Sequence, residues 1–178
     1  MKKIKVISLN LLSELLLTKK MTIFAVLLLV TTLAPILKQQ MITGPIVNAC
    51  LFASVILLGV RAAILIGFLP SLFALSFGLL SPLMIPLIPF IIVSNIILVL
   101  IFGALRKINY WLGAISASFI KFIFLFTTSS VIISLFIKGI AAPKVAQMMS
   151  WPQLVTAIAG AIFAYLFLKN YDSKKQTR

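Results

Sequence analysis

Apolar residues fill most of this chain in long blocks that short polar or basic stretches separate. A helix needs about 20 mainly apolar residues to cross the roughly 30 Å hydrocarbon layer of a bilayer. Six blocks come near that length, at residues 21–37, 44–60, 62–80, 87–105, 110–136 and 152–168. We therefore predict an all-α integral membrane protein, a bundle of six transmembrane helices.

The first 20 residues form a separate segment of this pattern. Their apolar stretch is interrupted by Asn10 and Glu14 and is closed by Lys19 and Lys20. The stretch is too short and too polar to span, so we predict a short N-terminal amphipathic helix on the inner membrane surface. A cleaved signal peptide is the alternative, although no small-x-small cleavage site precedes residue 21. The predicted organisation is a cytoplasmic interfacial segment at 1–20, a transmembrane domain at 21–168 and a basic cytoplasmic tail at 169–178.

Prolines mark the edges of several predicted helices. Pro45, Pro86 and Pro152 fall in the predicted first turns, where the missing N–H does no harm. Pro70 lies inside the third block instead. It should kink this helix and leave a carbonyl near Ile66 for a neighbouring helix to satisfy.

Composition and charge agree with a lipid environment. Because 62% of the 178 residues are apolar and only 10% are charged, the chain has more hydrocarbon than a small soluble core can bury. The net charge of +14 does not indicate a nucleic-acid partner, since the basic residues stand at the ends of apolar blocks and not among stacking aromatics. Basic loops resist translocation, and an inside N-terminus leaves only Lys38, Lys138 and Lys144 outside. This predicts a multi-pass protein of the cell membrane with both termini cytoplasmic.

Side chains for catalysis are scarce in this sequence. It has no histidine, a single cysteine (Cys50) within an apolar block, and two acids, Glu14 and Asp172. Metal-ligand clusters, carboxylate pairs and Ser-His-Asp arrangements cannot be built from these residues. There is also no Walker A sequence. We expect no enzymatic activity, no metal and no cofactor, with any ATP used only by partner subunits.

Lys121 is the cation that this charge count assigns to neither side of the membrane. It lies well inside the fifth block, where an ammonium costs about 3 kcal/mol or more unless it is paired, hydrated or deprotonated. Helical spacing places it on one stripe with Ser118 and Thr128. Such a lysine would favour a ligand with a carboxylate, a phosphate or a polarisable carbonyl. The alternative is a fifth helix that begins near Phe122, with Lys121 reaching the inner headgroups.

Further polar residues are candidates for the same substrate-binding site. Asn48 and Asn95 fall inside the second and fourth blocks, where a carboxamide needs hydrogen-bond partners. With Lys121 they are expected to line one cavity that opens outward, although interhelical contacts without a ligand are the alternative. For the loop residues simple exposure to solvent is the alternative, and for Trp151 it is an anchoring role at the membrane surface. The remaining candidates are Gln39, Gln40, Thr43, Thr128, Gln147, Trp151 and Gln153.

Small residues recur at a spacing of four along several blocks. This spacing lets helices approach closely, either inside the bundle or against another subunit. The pairs are Ala63 and Gly67, Gly113 and Ala117, Ala157 and Ala161, and Gly160 and Ala164.

Four stretches carry a more specific signal: Ile42-Thr-Gly-Pro-Ile-Val-Asn-Ala49, Leu69-Pro-Ser-Leu72, Ile88-Pro-Phe90 with Asn95, and Met148-Met-Ser-Trp-Pro-Gln153. With the basic six-helix architecture over about residues 21–168, the chain resembles the substrate-binding S components of energy-coupling factor (ECF-type) transporters. The resemblance implies a subunit that captures a vitamin or related micronutrient from outside. It implies as partners a membrane scaffold subunit and two ATPase subunits, and it makes the first outer loop, with Gln39, Gln40 and Thr43, a lid.

The first block departs from the pattern of that family. Family members often carry alanines four apart there, for docking on the scaffold subunit. This chain has Ala25 and Ala34, with Thr31 and Thr32 between them. The chain therefore departs from the family pattern at the helix that docks on the scaffold subunit.

Two other functional classes remain open at the level of sequence. A self-sufficient permease or channel needs a continuous polar path, whereas the inner halves of these blocks offer few polar residues. A structural or assembly subunit would tolerate substitution of Asn48, Asn95 and Lys121.

Overall fold

The computed structural model describes the backbone of residues 2–79, 82–136 and 141–176, and the side chains of 15–79, 84–136 and 142–171. Within these ranges the chain is helical and contains no strand. The short stretches Ala34–Leu37 and Pro82–Leu87 are 3-10 helices. The α-helices are α1 (Lys2–Leu33), α2 (Gln40–Leu57), α3 (Val60–Ser76), α4 (Ile88–Leu105), α5 (Tyr110–Phe136), α6 (Ala141–Met148) and α7 (Trp151–Gln176).

Five helical stretches are long and apolar enough to cross a membrane. They are Leu15–Leu37, Gln40–Leu57, Met84–Leu105, Tyr110–Phe136 and Ala142–Tyr171. The helix α3 is also apolar but has only 17 residues. The predicted class, an all-α multi-pass membrane protein, is confirmed at this level.

The predicted surface helix and the predicted first transmembrane helix are joined in one continuous helix, α1. Around their junction the sequence offers no proline or glycine to break the helix, and Thr22 Oγ1 donates to the Thr18 carbonyl within it. The side chain of Glu14 lies outside the described residues, and so does that of Asp172. The location of residues 1–20 on the inner surface stays a prediction.

The prolines occupy three different settings. Pro152 is the second residue of α7, in the first turn as predicted. Pro45 is not in a first turn, because α2 begins at Gln40, before the predicted start of the second helix. Pro86 lies in the 3-10 helix that leads into α4. Thus two of the three predicted first-turn positions are wrong.

Pro70 lies inside α3, as predicted. A proline cannot donate a backbone hydrogen bond to the preceding turn, so Pro70 leaves the carbonyl of Ile66 without its helical donor. Asn95 Nδ2 in α4 lies 3.4 Å from the carbonyl oxygen of the next residue, Gly67. A neighbouring helix thus approaches this turn, while the donor to the Ile66 carbonyl and the kink stay predictions.

Two apolar clusters form the core, one on each side of a polar layer. On α5, Ala114 and Ala117 of the first cluster precede Lys121, whereas Leu125 and Ile133 of the second follow it. The first, which we name the phenylalanine cluster, contains Leu51, Phe52, Val55, Ala63, Ile66, Leu98, Val99, Phe102, Ala114, Ala117, Ala157, Ala161 and Ala164. The second, the methionine cluster, contains Met84, Leu87, Leu125, Ile133, Val145 and Met149.

The small-residue pairs pack inside the bundle. All eight residues of the four pairs are buried. The closest approach is between α2 and α7, where a β-carbon added at Gly160 would lie 2.6 Å from the β-carbon of Asn48. The sequence left open whether these pairs pack inside the bundle or against another subunit. In the structure they pack between helices of the same chain.

Gly160→Ala is expected to destabilise the protein by about 1–3 kcal/mol, because the added methyl overlaps the α2 backbone. It would lie 2.8 Å from the amide nitrogen of Ala49 and 2.9 Å from the carbonyl oxygen of Pro45. Gly67→Ala is the matched control, since its β-carbon has its nearest neighbour at 3.4 Å. Thermal unfolding of the purified variants checks this, and equal midpoints for the two would contradict the packing described here.

One end of the bundle collects tyrosine and tryptophan side chains. The ring of Tyr165 lies 5.2 Å from that of Tyr110 and 5.1 Å from that of Trp111. Tyr171, the third tyrosine of the sequence, lies beneath the ammonium of Lys19 at 5.5 Å. Aromatic rings with a polar edge, next to lysines, are typical of the zone where a membrane meets water.

Candidate binding cavity around Lys121

Lys121 points into the bundle. Its side chain is only 4% exposed, and α5 begins at Tyr110, well before Phe122. The Nζ atom donates to Asn48 Oδ1 at 2.6 Å and to Asn95 Oδ1 at 2.8 Å. The alternative in which this lysine extends to the headgroups does not fit the geometry, because both hydrogen-bond partners come from other helices of the bundle.

Both asparagines are oriented by their amide nitrogens. Asn48 Nδ2 donates to the Gly44 carbonyl at 2.9 Å within α2, and Asn95 Nδ2 donates across to Gly67 of α3. Each amide therefore turns its oxygen toward the ammonium. We name Asn48, Asn95 and Lys121 the lysine–asparagine network. With Gly67 it joins α2, α3, α4 and α5.

Close packing of α7 on α2 holds Asn48 in place. A β-carbon added at Gly44 would lie 2.6 Å from that of Thr156, so the two helices meet one turn before Asn48 as well as at it. Thr156 and Asn48 are both buried. The glycines at this crossing thus set the position of one of the two oxygens that receive the lysine.

The charge of this network is not balanced by an acid among the described side chains. Amide oxygens offer dipoles but no formal negative charge. The two acids of the sequence, Glu14 and Asp172, have side chains outside the described residues. An ammonium has three donors, and two of them are engaged by Asn48 and Asn95. One donor of a buried cation is left for another acceptor.

A cavity of about 620 Å³ opens above the lysine–asparagine network. This lies within the range of about 300–1,000 Å³ that is usual for sites of small organic ligands. Its deep part is lined by the buried network and by apolar residues such as Ile66 and Met149. Its mouth is bordered by exposed residues, including Lys38 and Lys144. The cavity can hold a ligand of mixed polar and apolar character.

Seven of the ten predicted site residues border this cavity. Three of the seven form the lysine–asparagine network. The other four lie at or just before the start of α2 and at the start of α7. These seven are Gln39, Gln40, Thr43, Asn48, Asn95, Lys121 and Gln153.

The other three predicted residues are not among the residues that line the cavity. The buried stripe of α5 passes through Ser129, and Thr128 instead donates to the Phe124 carbonyl at 2.6 Å. Gln147 is on an exposed face of α6, and Trp151 is 57% exposed. For Trp151 an anchoring role at the membrane surface, the alternative weighed from sequence, stays a prediction.

The turn before α2 brings the first loop to the cavity mouth. Lys38 has a φ of 52°, in the left-handed region, and its N–H donates to the Pro35 carbonyl at 3.0 Å. Thr43 Oγ1 donates to the Ala34 carbonyl at 3.2 Å, which fastens the first turn of α2 to the segment before the loop. The residues of the predicted lid thus border the cavity, while its movement stays a prediction.

Sequence reasoning missed two lysines and one helix of the site. Lys38 and Lys144 both line the cavity, although the charge count had assigned them only to the outer side. The helix α6, which carries Lys144, lies in a stretch that the apolar pattern left as a loop. The available signal was the scarcity of outward cations: of three assigned outside, these two border the cavity and Lys138 lies outside the described residues.

The arrangement as a whole is a cavity with a buried lysine at its base, exposed lysines at its mouth and largely apolar walls between them. Such a site suits the binding of a small molecule, because a few polar side chains converge at the base of a largely apolar cavity. Comparison of the chain with family models, with curated proteins and with solved structures finds no match.

Proposed function

We propose that this protein is the substrate-capture (S) subunit of an ECF-type importer and that it binds a vitamin or related micronutrient from the outer face of the cell membrane. The observation that carries the proposal is the cavity of about 620 Å³ that ends at buried Lys121. A cavity of this size with a few convergent polar groups is what a small-molecule receptor needs.

The core beneath the cavity supports capture over free passage. Beyond the lysine–asparagine network lies the phenylalanine cluster, in which the rings of Phe52 and Phe102 meet edge to face at 4.7 Å. Both side chains are fully buried. An ion or polar solute would have to cross this apolar layer, so a channel through the described part of the chain is not favoured.

The proposed topology has six crossings and cytoplasmic termini. The helix α3 of 17 residues extends about 25 Å at 1.5 Å per residue, which is at the short end of what spans a bilayer. The group of tyrosines with Trp111 and Lys19 would then mark the inner surface. The cavity mouth, with Lys38 and Lys144, would face outward.

Release of the ligand to the inside needs other proteins under this proposal. The chain has no Walker A sequence, so ATPase subunits would supply the energy and a membrane scaffold subunit would transmit it. Docking through the first helix would differ from the family pattern. Ala34 is buried in the bundle and Ala25 is exposed, while Thr31 and Thr32 donate to carbonyls of their own helix.

Affinity purification of the tagged protein from its own membranes, in mild detergent, tests this proposal. The expected result is co-purification of a second membrane protein and of ATPase subunits, with ATP-dependent uptake of the bound molecule after reconstitution. Uptake by this chain alone in ATP-free liposomes would favour a permease. A stable complex without any ATPase would favour a structural subunit.

A further inference from the structure

We infer that the cavity selects an aliphatic acid, whose carboxylate or phosphate pairs with Lys121 at the base while Lys38 and Lys144 attract it to the mouth. This inference rests on the proposed capture function and names the chemical class of its ligand. The charges at both ends of the cavity and the composition of the wall between them together determine this ligand class.

The charged residues that line the cavity are all basic among the described residues. Three lysines border the cavity, and no acidic side chain does so among the described residues. Lys121 is buried, so its charge is poorly screened by solvent. A cationic ligand would be repelled at the mouth and again at the base. An anion would be attracted at both levels and would give the buried ammonium the counter-charge that this part of the chain lacks.

The side chains at the base of the cavity keep hydrogen-bond donors that the network does not use. Asn48 and Asn95 each use one amide N–H on a glycine carbonyl, and Lys121 uses two of its three donors on their oxygens. One N–H on each of the three side chains therefore remains. All three side chains line the cavity, so a carboxylate or a phosphate bound there has donors for its oxygens, and hydrogen bonds to such charged acceptors are the strong ones.

The apolar walls of the cavity are aliphatic and not aromatic. The chain has 14 phenylalanines, three tyrosines and two tryptophans, yet none of them lines the described cavity. Aliphatic and methionine side chains such as Ile66, Met84 and Ile88 do. Flat aromatic ligands gain from stacking on aromatic side chains, and that gain is missing here. Flexible aliphatic walls suit a ligand body without an aromatic ring.

The lysines at the two depths should respond differently to salt. Lys38 and Lys144 are exposed, so ions in solution screen them, whereas buried Lys121 is screened much less. The mouth lysines therefore supply the salt-dependent part of the affinity, and Lys121 supplies the part that persists at high salt. Together two exposed charges account for about threefold to tenfold in affinity at low salt.

Isothermal titration of the purified protein in neutral detergent tests the ligand class with four named probes. Hexanoate is expected to bind, hexylamine not to bind, and benzoate to bind more weakly than hexanoate. Palmitate tests whether the acid comes from the bilayer or from solution. Binding of palmitate that is tighter than that of hexanoate supports an acid taken from the bilayer, and the reverse order supports a soluble acid. Binding of hexylamine or benzoate at least as tight as that of hexanoate would overturn the inference.

Variants in the same titration separate the contribution of the two mouth lysines from that of Lys121 at the base. The double variant Lys38→Gln/Lys144→Gln should reduce hexanoate affinity at low salt about threefold to tenfold and leave it unchanged at high salt. Lys121→Met should remove binding at every salt concentration. Lys169→Gln, an exposed residue that does not line the cavity, is the control and should behave like the native protein. Equal salt dependence in the double variant and the native protein would contradict the inference. No partner subunit is present in this assay, so its failure is separate from failure to recover an ATPase complex.

Discussion

Lys121→Met is expected to abolish ligand binding and to lower the free energy of unfolding by about 1–3 kcal/mol, because it leaves two buried amide oxygens without their donor. The native ammonium bonds Asn48 Oδ1 and Asn95 Oδ1 at 2.6 and 2.8 Å. Methionine fills a similar volume but donates no hydrogen bond. Thermal unfolding and ligand titration of the purified variant measure the two effects separately.

The triple variant Asn48→Leu/Lys121→Met/Asn95→Leu is the control for the loss of stability. It removes the acceptors together with the donor, so no buried polar group of the network is left unpaired, and such replacements are often neutral or stabilising. We expect stability to return while binding stays absent. Binding that survives in either variant would show that the cavity does not depend on this lysine.

Asn95→Asp is expected to lower the affinity for an anionic ligand about tenfold to a hundredfold while the fold is retained. The substitution keeps the shape of the side chain and places a carboxylate where the amide oxygen now lies 2.8 Å from Lys121 Nζ. An internal ion pair would then supply the counter-charge that the ligand supplies in the native protein. Loss of about 1.4–2.8 kcal/mol of attraction to the ligand corresponds to this change in affinity.

Asn109→Asp is the matched control for this change. Asn109 is exposed at the start of α5, where its Oδ1 accepts from the N–H groups of Trp111 and Leu112. Aspartate serves as well as asparagine at the start of a helix, so fold and affinity should not change. Unaltered anion binding in Asn95→Asp, with this control normal, would mean that the charge of Lys121 is not what attracts the ligand.

The base of the cavity could be predicted from sequence because the cost of burying polar groups is a local property. An ammonium and two carboxamides inside apolar blocks each need partners, and with few polar groups available they become one another's partners. The structure brings Lys121, Asn48 and Asn95 together in this way. The same reasoning predicted a donor to the Ile66 carbonyl before Pro70, and the observed donor, Asn95 Nδ2, lies against the carbonyl of the next residue, Gly67.

The mouth of the cavity could not be predicted in the same way. Exposed lysines such as Lys38 and Lys144 carry little cost, so nothing in their local sequence shows what they face. Their approach to the cavity depends on the left-handed turn at Lys38 and on the packing of the short helix α6. Thr128 shows a related limit. Seven residues of helix bring it back to within about 20° of the direction of Lys121. The buried positions of α5 nevertheless advance in steps of four, through Leu125 and Ser129, so the packing of the neighbouring helices decides which residues face the bundle.

Under the proposals made above, the cavity above Lys121 holds a small acidic molecule. Mass spectrometry of the molecules released from the native protein and from Lys121→Met, both purified gently from their own membranes, tests it most directly. We expect an acidic molecule without an aromatic ring to be released from the native protein in near-stoichiometric amount and to be absent from the variant. A cationic molecule, or an equal amount of the same acid in both samples, would contradict the account.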